Sequence, residues 1–233
     1  MEKTKHIVIL AAGDFPSHET PLRTLREADF VVCCDSAYSQ FSDFHSQFPI
    51  PFIVIGDGDS LSNETKQELG DRWIEVDEQD YNDLHKAVQW AVCHFPPHTS
   101  HFTILGATGR REDHTLGNIS YLVTFAEEHP GIRLEMLTDY GRFIAVTPLK
   151  QSSNQAIKQS NTHIFPSFPG QQVSLFVIDP AVALTSQGLR WPLCQMHPQR
   201  WWQATLNEAL GTSFTLTSDG PFLLFQTYAP KSL

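Results

Sequence analysis

Over its first 140 residues the chain alternates short, β-rich apolar runs with stretches of helical period. Runs at 6–12, 30–34, 52–55, 73–76, 101–105 and 133–137 read as strands. Helical patterns fall between or after them at 20–27, 37–43, 63–69, 82–93 and 114–128. This alternation predicts βαβ units and a mostly parallel sheet flanked by helices, an α/β fold. In the helix from Asn82, residues Leu84, Ala87, Val88, Ala91 and Val92 share one stripe, and Pro96-Pro97 stop it.

From about Phe143 the texture changes. A stretch rich in Ser, Gln and Asn at 151–161 reads as a loop or linker. Short β-like runs follow at 173–178, 183–185, 213–217 and 222–228, and Ser218-Asp219-Gly220 predicts a hairpin between the last two. The expected organisation is an α/β domain at 1–148, a linker at 149–162 and a small antiparallel β domain at 163–233.

With 26 acidic against 16 basic residues the formal net charge is -10, which argues against a nucleic-acid binder, because neutralising phosphates takes clustered Lys and Arg. The first apolar run is too short for a signal segment, and no later one reaches membrane-spanning length. Cys33, Cys34, Cys93 and Cys194 lack CxxC spacing, and Cys33 and Cys34 point to opposite faces of one strand. They read as reduced, structural cysteines of a cytoplasmic protein.

Carboxylates stand where the apolar runs end. Ile53-Val54-Ile55 meets Gly56-Asp57-Gly58-Asp59-Ser60, Trp73-Ile74-Glu75-Val76 gives way to Asp77, Asp80 and Asp83, and Phe102-Thr103-Ile104-Leu105 opens into Gly106–His114. Ligands of open α/β sheets bind outside the carboxyl ends of the strands, so this placement suggests a hard cation and a polyphosphate. Asp57 and Asp59, one residue apart on a turn, can reach one cation, and Gly58 lets the backbone come close to a ligand. N-capping accounts equally for a lone Asp, and the macrodipole for Asp80 or Asp83 taken singly. The segment from Gly106 is neither a Walker loop nor a dinucleotide fingerprint, but an Arg fork there can hold phosphate. The 11 histidines lack metal-ligand spacing, arguing against zinc, and Ser60 has no triad partners nearby.

These segments resemble the thiamine pyrophosphokinase family. Gly56–Ser60 is similar to its GDxDS pattern, Gln79–Ala87 to QDxTDxxKA, and Gly106–Asn118 to GxxGGRxDHxxxN, with Arg111, Asp113, His114 and Asn118 in matching places. Farther on, Thr185–Trp191 resembles T-x-x-GLKW/Y, and Ala204–Glu208 loosely resembles S-x-SNE. The motifs stand in the family's order over nearly the whole chain. Gly58 stands in place of Phe, Arg110 in place of the second Gly, Asn82 in place of Thr, His85 in place of Glu, and Leu206 in place of Ser.

The resemblance implies an N-terminal α/β catalytic domain, a C-terminal β-sandwich, and a homodimer with thiamine sites between subunits. It implies transfer of a pyrophosphoryl group from ATP to thiamine, giving thiamine diphosphate and AMP. Asp57, Asp59 and Asp83 are the expected Mg²⁺ ligands, and with Arg111 and Asp113 they form the expected catalytic set. Gly56, Ser60, Asp80, Gly106, Arg111, His114 and Asn118 are expected at ATP; Trp191, Thr205 and Asn207 are expected at thiamine. Asp113 can orient Arg111, join the metal shell or accept the hydroxyl proton, and the sequence leaves the three open. A metal-dependent nucleotide phosphohydrolase and a non-catalytic thiamine- or nucleotide-binding regulator are the competing readings.

Overall fold

The computed structural model describes residues 4–96, 99–147 and 161–230. They form two units: the first runs to Tyr121 and adds Gly131–Asp139, and the second takes Leu122–Pro130 and everything from Tyr140 on. The expected linker at 149–162 lies outside the described residues except for its last two.

The first unit has six strands, β1 (Lys5–Leu10), β2 (Phe30–Cys34), β3 (Phe52–Gly56), β4 (Trp73–Glu75), β5 (Ser100–Leu105) and β6 (Leu134–Leu137). Its helices are α1 (Glu19–Arg26), α2 (Tyr38–Gln47), α3 (Asn63–Leu69), α4 (Asp83–His94) and the first part of α5 (Glu112–Glu128). The strands lie in the order β6-β5-β1-β2-β3-β4, and every pairing is parallel. Parallel strands bury both faces under crossover helices, which is why β1 and β2 read as continuous apolar runs. On one face Val8, Leu10, Val31, Cys33 and Val54 pack with Leu25 of α1 and Phe41 of α2. α4 lies against β1, β2 and β3, burying Leu84, Ala87, Val88 and Ala91.

The order reverses at β1. From it the chain winds outward through β2, β3 and β4 in one direction, while β5 and β6 lie on its other side. β1 is therefore the switch point of the sheet, and ligands of open α/β sheets bind in the crevice at the carboxyl ends of the strands there.

The second unit adds β7 (Gly141–Val146), β8 (Asn161–Pro166), β9 (Gln171–Val177), β10 (Leu184–Gln187), β11 (Asn207–Glu208), β12 (Ser213–Ser218) and β13 (Phe222–Pro230). They make two antiparallel layers, β11-β9-β13-β7 and β10-β12-β8. Val173, Leu175, Phe222 and Leu224 from one layer share a core with Phe165, Leu184, Phe214 and Leu216 from the other. This is a β-sandwich, as the resemblance implied.

The expected hairpin at Ser218-Asp219-Gly220 does not form. β12 pairs with β10 and β8, whereas β13 pairs with β7 and β9, so the turn carries the chain from one layer to the other. Asp219 accepts from the Ala183 backbone N–H at 2.8 Å and Ser218 donates to the Gly220 carbonyl at 2.9 Å. Turn chemistry fixes the reversal, but burying apolar side chains from both runs in one core selects the layer.

Candidate active site

The crevice at the β1/β5 switch is a built site. Backbone bonds tie its two loops together: Ala11 N–H to the Leu105 carbonyl at 2.9 Å, Asp14 N–H to Thr108 at 2.9 Å, and Gly13 N–H to Gly106. A Cβ on Gly13 would collide with the Thr108 and Gly106 carbonyls, so the close approach requires glycine. Above these loops lies a cavity of about 350 Å³. Its walls include Cys34 at the end of β2 and Ser36 just after it, Asn82 and Asp83 at α4, and Arg110, Arg111, His114 and Asn118 around the start of α5. Of the residues expected from sequence, Asp83, Arg111, His114 and Asn118 reach it directly.

Short side chains set the α4 end. Asn82 caps the helix, its Oδ1 accepting from the His85 N–H at 3.0 Å, and its Nδ2 donates to Asn118 Oδ1 at 3.2 Å. Asn118 in turn donates to the Ala107 carbonyl at 2.9 Å. Thus Asn118 joins α4, α5 and the β5 loop.

The carboxylates gather beside this cavity. Asp83 is half-buried, and burial pushes its carboxyl upward; Asp35 adds to the rise, Lys86 opposes it, and Asp57 adds a smaller part. Asp57 leads the turn after β3, where its Oδ1 accepts from the Asp59 N–H at 3.1 Å. Gly58, at φ 82, sits against Lys66 and Trp73 with no space for a side chain. Its N–H donates to Asp35 Oδ2 at 3.1 Å.

Other expected residues stand apart from the cavity walls. Asp59 and Asp80 are exposed. Ser60 lines a second recess of about 620 Å³, which it shares with Asp35 and Ser36. Gly56 and Gly106 are buried backbone positions that support the β3 and β5 loops. Asp113 meets Arg111 through a two-pronged contact, Nε to Oδ1 at 3.1 Å and Nη2 to Oδ2 at 2.6 Å. That fork holds the Asp113 carboxyl below its ordinary range, and reciprocally raises Arg111.

Two residues escaped the sequence reading. Asp35 is almost fully buried at the end of β2. Val31-Val32-Cys33-Cys34-Asp35 carries the same signal used elsewhere, an apolar run ending in a carboxylate. Lys86 is buried on the first turn of α4, donating to the Val76 carbonyl at 3.2 Å and standing 3.4 Å from Asp83. Its signal is the lysine of the QDxTDxxKA pattern that Gln79–Ala87 resembles.

Among the described residues no three His, Cys, Asp or Glu side chains converge on a common point that a metal could fill. The donor set still suits a hard divalent ion. Asp35 and Asp57 each add to the upward shift of the Asp83 carboxyl, a repulsion that a cation would relieve, and a few hard oxygens with room for waters and phosphates are the preference of Mg²⁺.

In the second unit, Trp191 is 56% exposed. Asn207 fixes its backbone, accepting from the Trp191 N–H at 3.1 Å and donating to its carbonyl at 2.6 Å. Arg190 bonds Glu208 at 2.9 Å and lies 5.9 Å from the Trp191 ring centre. Asn207 is therefore occupied in presenting Trp191, and Thr205 donates to the Trp202 carbonyl at 2.8 Å. Leu206, at φ 58, is an exposed leucine in left-handed backbone.

Two family models match the chain. "Thiamin pyrophosphokinase, catalytic domain" covers residues 22–135, and "Thiamin pyrophosphokinase, substrate-binding domain" covers residues 156–225. Thiamine pyrophosphokinase 1 of Oryza sativa subsp. japonica is 33% identical over 152 residues, covering 61% of this chain and 53% of that protein. Thiamin pyrophosphokinase 1 of Caenorhabditis elegans is 22% identical over 170 residues, covering 72% and 65%. The chain thus spans about half the length of the rice relative. Thiamin pyrophosphokinase structures share the fold: that from Candida albicans at TM-score 0.76 and 18% identity, covering 96% of this chain and 89% of that one. The Bacillus subtilis structure aligns at TM-score 0.73 and 20% identity, covering 96% and 99%.

Proposed function

This chain belongs to the thiamin pyrophosphokinase family, and from that premise we propose that it transfers the pyrophosphoryl group of ATP to the hydroxyl of thiamine. The carrying observation is the crevice at the β1/β5 switch, where Asp83 and Arg111 line one cavity. A carboxylate cluster for a cation and a guanidinium for phosphate are the two charges that transfer of a polyphosphate requires.

In this reading the thiamine hydroxyl oxygen bonds to the β-phosphorus of ATP. The bond from that phosphorus to the oxygen bridging it to the α-phosphate breaks, AMP leaves with that oxygen, and the hydroxyl proton passes to a base. Asp57 and Asp83, with Asp35 behind them and Asp59 completing the turn, would hold Mg²⁺. When bound, that ion supplies charge neutralisation to the phosphate oxygens. Gly106, His114 and Asn118 shape the nucleotide side, with Asp80, Gly56 and Ser60 at its margins. Arg111 stabilises charge on the phosphoryl group in flight. The two-pronged contact favours the orienting role for Asp113, since a carboxylate already held low by a guanidinium accepts a proton poorly.

Trp191 is the proposed stacking surface for the pyrimidine ring of the cationic thiamine, with Asn207 as its support and Thr205 as a further hydrogen-bonding group. We include a homodimer and a cytoplasmic location in the same reading. Exposed Trp201, Trp202 and Leu210 offer the apolar surface for a second copy. No helix among the described residues is long and apolar enough to cross a membrane.

The test is incubation with ATP, Mg²⁺ and thiamine, resolving nucleotides and thiamine species by chromatography. Matched formation of AMP and thiamine diphosphate is expected. Thiamine-independent phosphate release would instead make the chain a phosphohydrolase, and binding of both ligands without AMP would make it a regulator.

A further inference from the structure

The turn from β5 into α5 carries two arginines, and the reading above, on which this inference rests, uses only Arg111. Arg110 differs from its neighbour in two ways. Its backbone is left-handed, φ 55, a conformation that glycine adopts freely and an L side chain does not. The motif that this segment resembles has glycine at that position, so the chain keeps a long cationic side chain where the backbone disfavours it. Observed strain of this kind points toward function.

Arg110 is half exposed and, like Arg111, lines the cavity of about 350 Å³. The second difference is partnering. Arg111 forks onto the Asp113 carboxylate. Arg110 donates one bond to a neutral acceptor, the Ala12 carbonyl at 2.9 Å, and Asp14 Oδ1 stands 3.8 Å from its Nε, beyond hydrogen-bond reach. Holding the β1 and β5 loops together does not account for Arg110, because the Ala11–Leu105, Gly13–Gly106 and Asp14–Thr108 backbone bonds already do so.

We propose that Arg110 is a phosphate-binding residue of this cavity, its guanidinium exchanging the Ala12 carbonyl for polyphosphate oxygens when nucleotide enters. The guanidinium is ionised in both bonds, but the exchange replaces a neutral carbonyl by an ionised phosphate oxygen, adding the attraction of opposite charges. Arg111 would have to surrender a two-pronged bond to a carboxylate to do the same, whereas Arg110 surrenders one bond to a carbonyl and a single ion-pair contact with Asp14 at 3.8 Å. Two cations then divide the work: Arg110 anchors the nucleotide, and Arg111, held by Asp113, faces the reacting phosphate.

The experiment compares wild type with Arg110→Gly and Arg110→Lys in three readouts: steady-state kinetics, equilibrium binding of ATP without thiamine, and melting temperature. For Arg110→Gly, KM and the dissociation constant for ATP should rise about tenfold with KM for thiamine unchanged. Its melting temperature should hold or rise, because glycine relieves the left-handed position. Arg110→Lys should recover part of the ATP affinity. Unchanged ATP affinity in Arg110→Gly overturns the proposal, and a lowered melting temperature alongside it would make Arg110 a loop clasp. If wild type forms no AMP, the proposed reaction fails, yet the ATP dissociation constants still decide the role of Arg110.

Discussion

Lys86 Nζ stands 3.4 Å from Asp83 Oδ1, one helical turn away, with 6% of the lysine side chain exposed. The same ammonium donates to the Val76 carbonyl. It thereby fixes α4 to the segment after β4 and sets a positive charge beside Asp83, opposing the rise that burial and the Asp35 and Asp57 carboxylates cause there. Lys86→Met removes that counter-charge and leaves a buried acceptor short of a donor, costing about 1–3 kcal/mol. In a chain of this length each kcal/mol lowers the melting temperature by roughly 2–4 °C. Differential scanning fluorimetry should show the fall, and turnover should drop with it; no change in either would mean the pair is dispensable.

Asp57→Asn and Asp83→Asn keep the side-chain shapes while removing charge from the cluster. Losing one preorganised electrostatic partner commonly costs about 10²–10³ in kcat. AMP formation should fall by that order while the circular dichroism spectrum matches wild type. Turnover near wild type in both variants would falsify the assignment of these carboxylates.

Trp191→Ala should weaken thiamine selectively. Cation–π contacts contribute about 0.5–2 kcal/mol, so KM for thiamine should rise roughly 2–30-fold while KM for ATP stays put. Asn207→Ala should reproduce the effect indirectly, since it frees the Trp191 backbone from both of its bonds. An equal rise in both KM values would point to a folding defect.

Acid sensitivity should arise at the opposite end of the sheet from the cavity. His6 bonds Thr103 at 3.0 Å and stacks on His101 at 5.1 Å. Burial first, then His101, lower its pKa from the usual 6.5, with Glu135, Asp29 and Glu27 opposing. The folded state thus binds this proton less readily than the unfolded chain does. The stability contributed is complete above pH 6.5 and is lost as pH falls through the lower folded value. Melting temperature measured across this range should decline on the acid side, and His6→Gln should flatten that decline. An identical pH profile in the variant would remove His6 from the explanation.

Much of the fold was legible because its signals are local. Runs such as Ile7–Leu10 and Val31–Cys34 are apolar at every position, as strands buried on both faces must be. The stripe of Leu84, Ala87, Val88 and Ala91 announced α4, and Asp83 and Arg111, placed after apolar runs, line the candidate cavity. β7 was missed because Gly141–Val146 sits where the helical alternation ends, and its strand partner is β13, 80 residues later in the chain. Asp35 was missed because a lone carboxylate after two cysteines resembles a cap until Asp83 and Gly58 stand beside it.

The sequence by itself determined where the chain runs extended or helical, where it turns, and which charged groups lie at strand ends, because propensity and periodicity act over a few neighbours. Only the tertiary structure decided that β12 and β13 enter different layers, that Asp113 is committed to Arg111, and that Asp59 is exposed outside the cavity walls. It alone set the buried ammonium of Lys86 beside Asp83. Those outcomes depend on which distant surfaces bury each other. The free energy of that burial belongs to the assembled core rather than to any one segment.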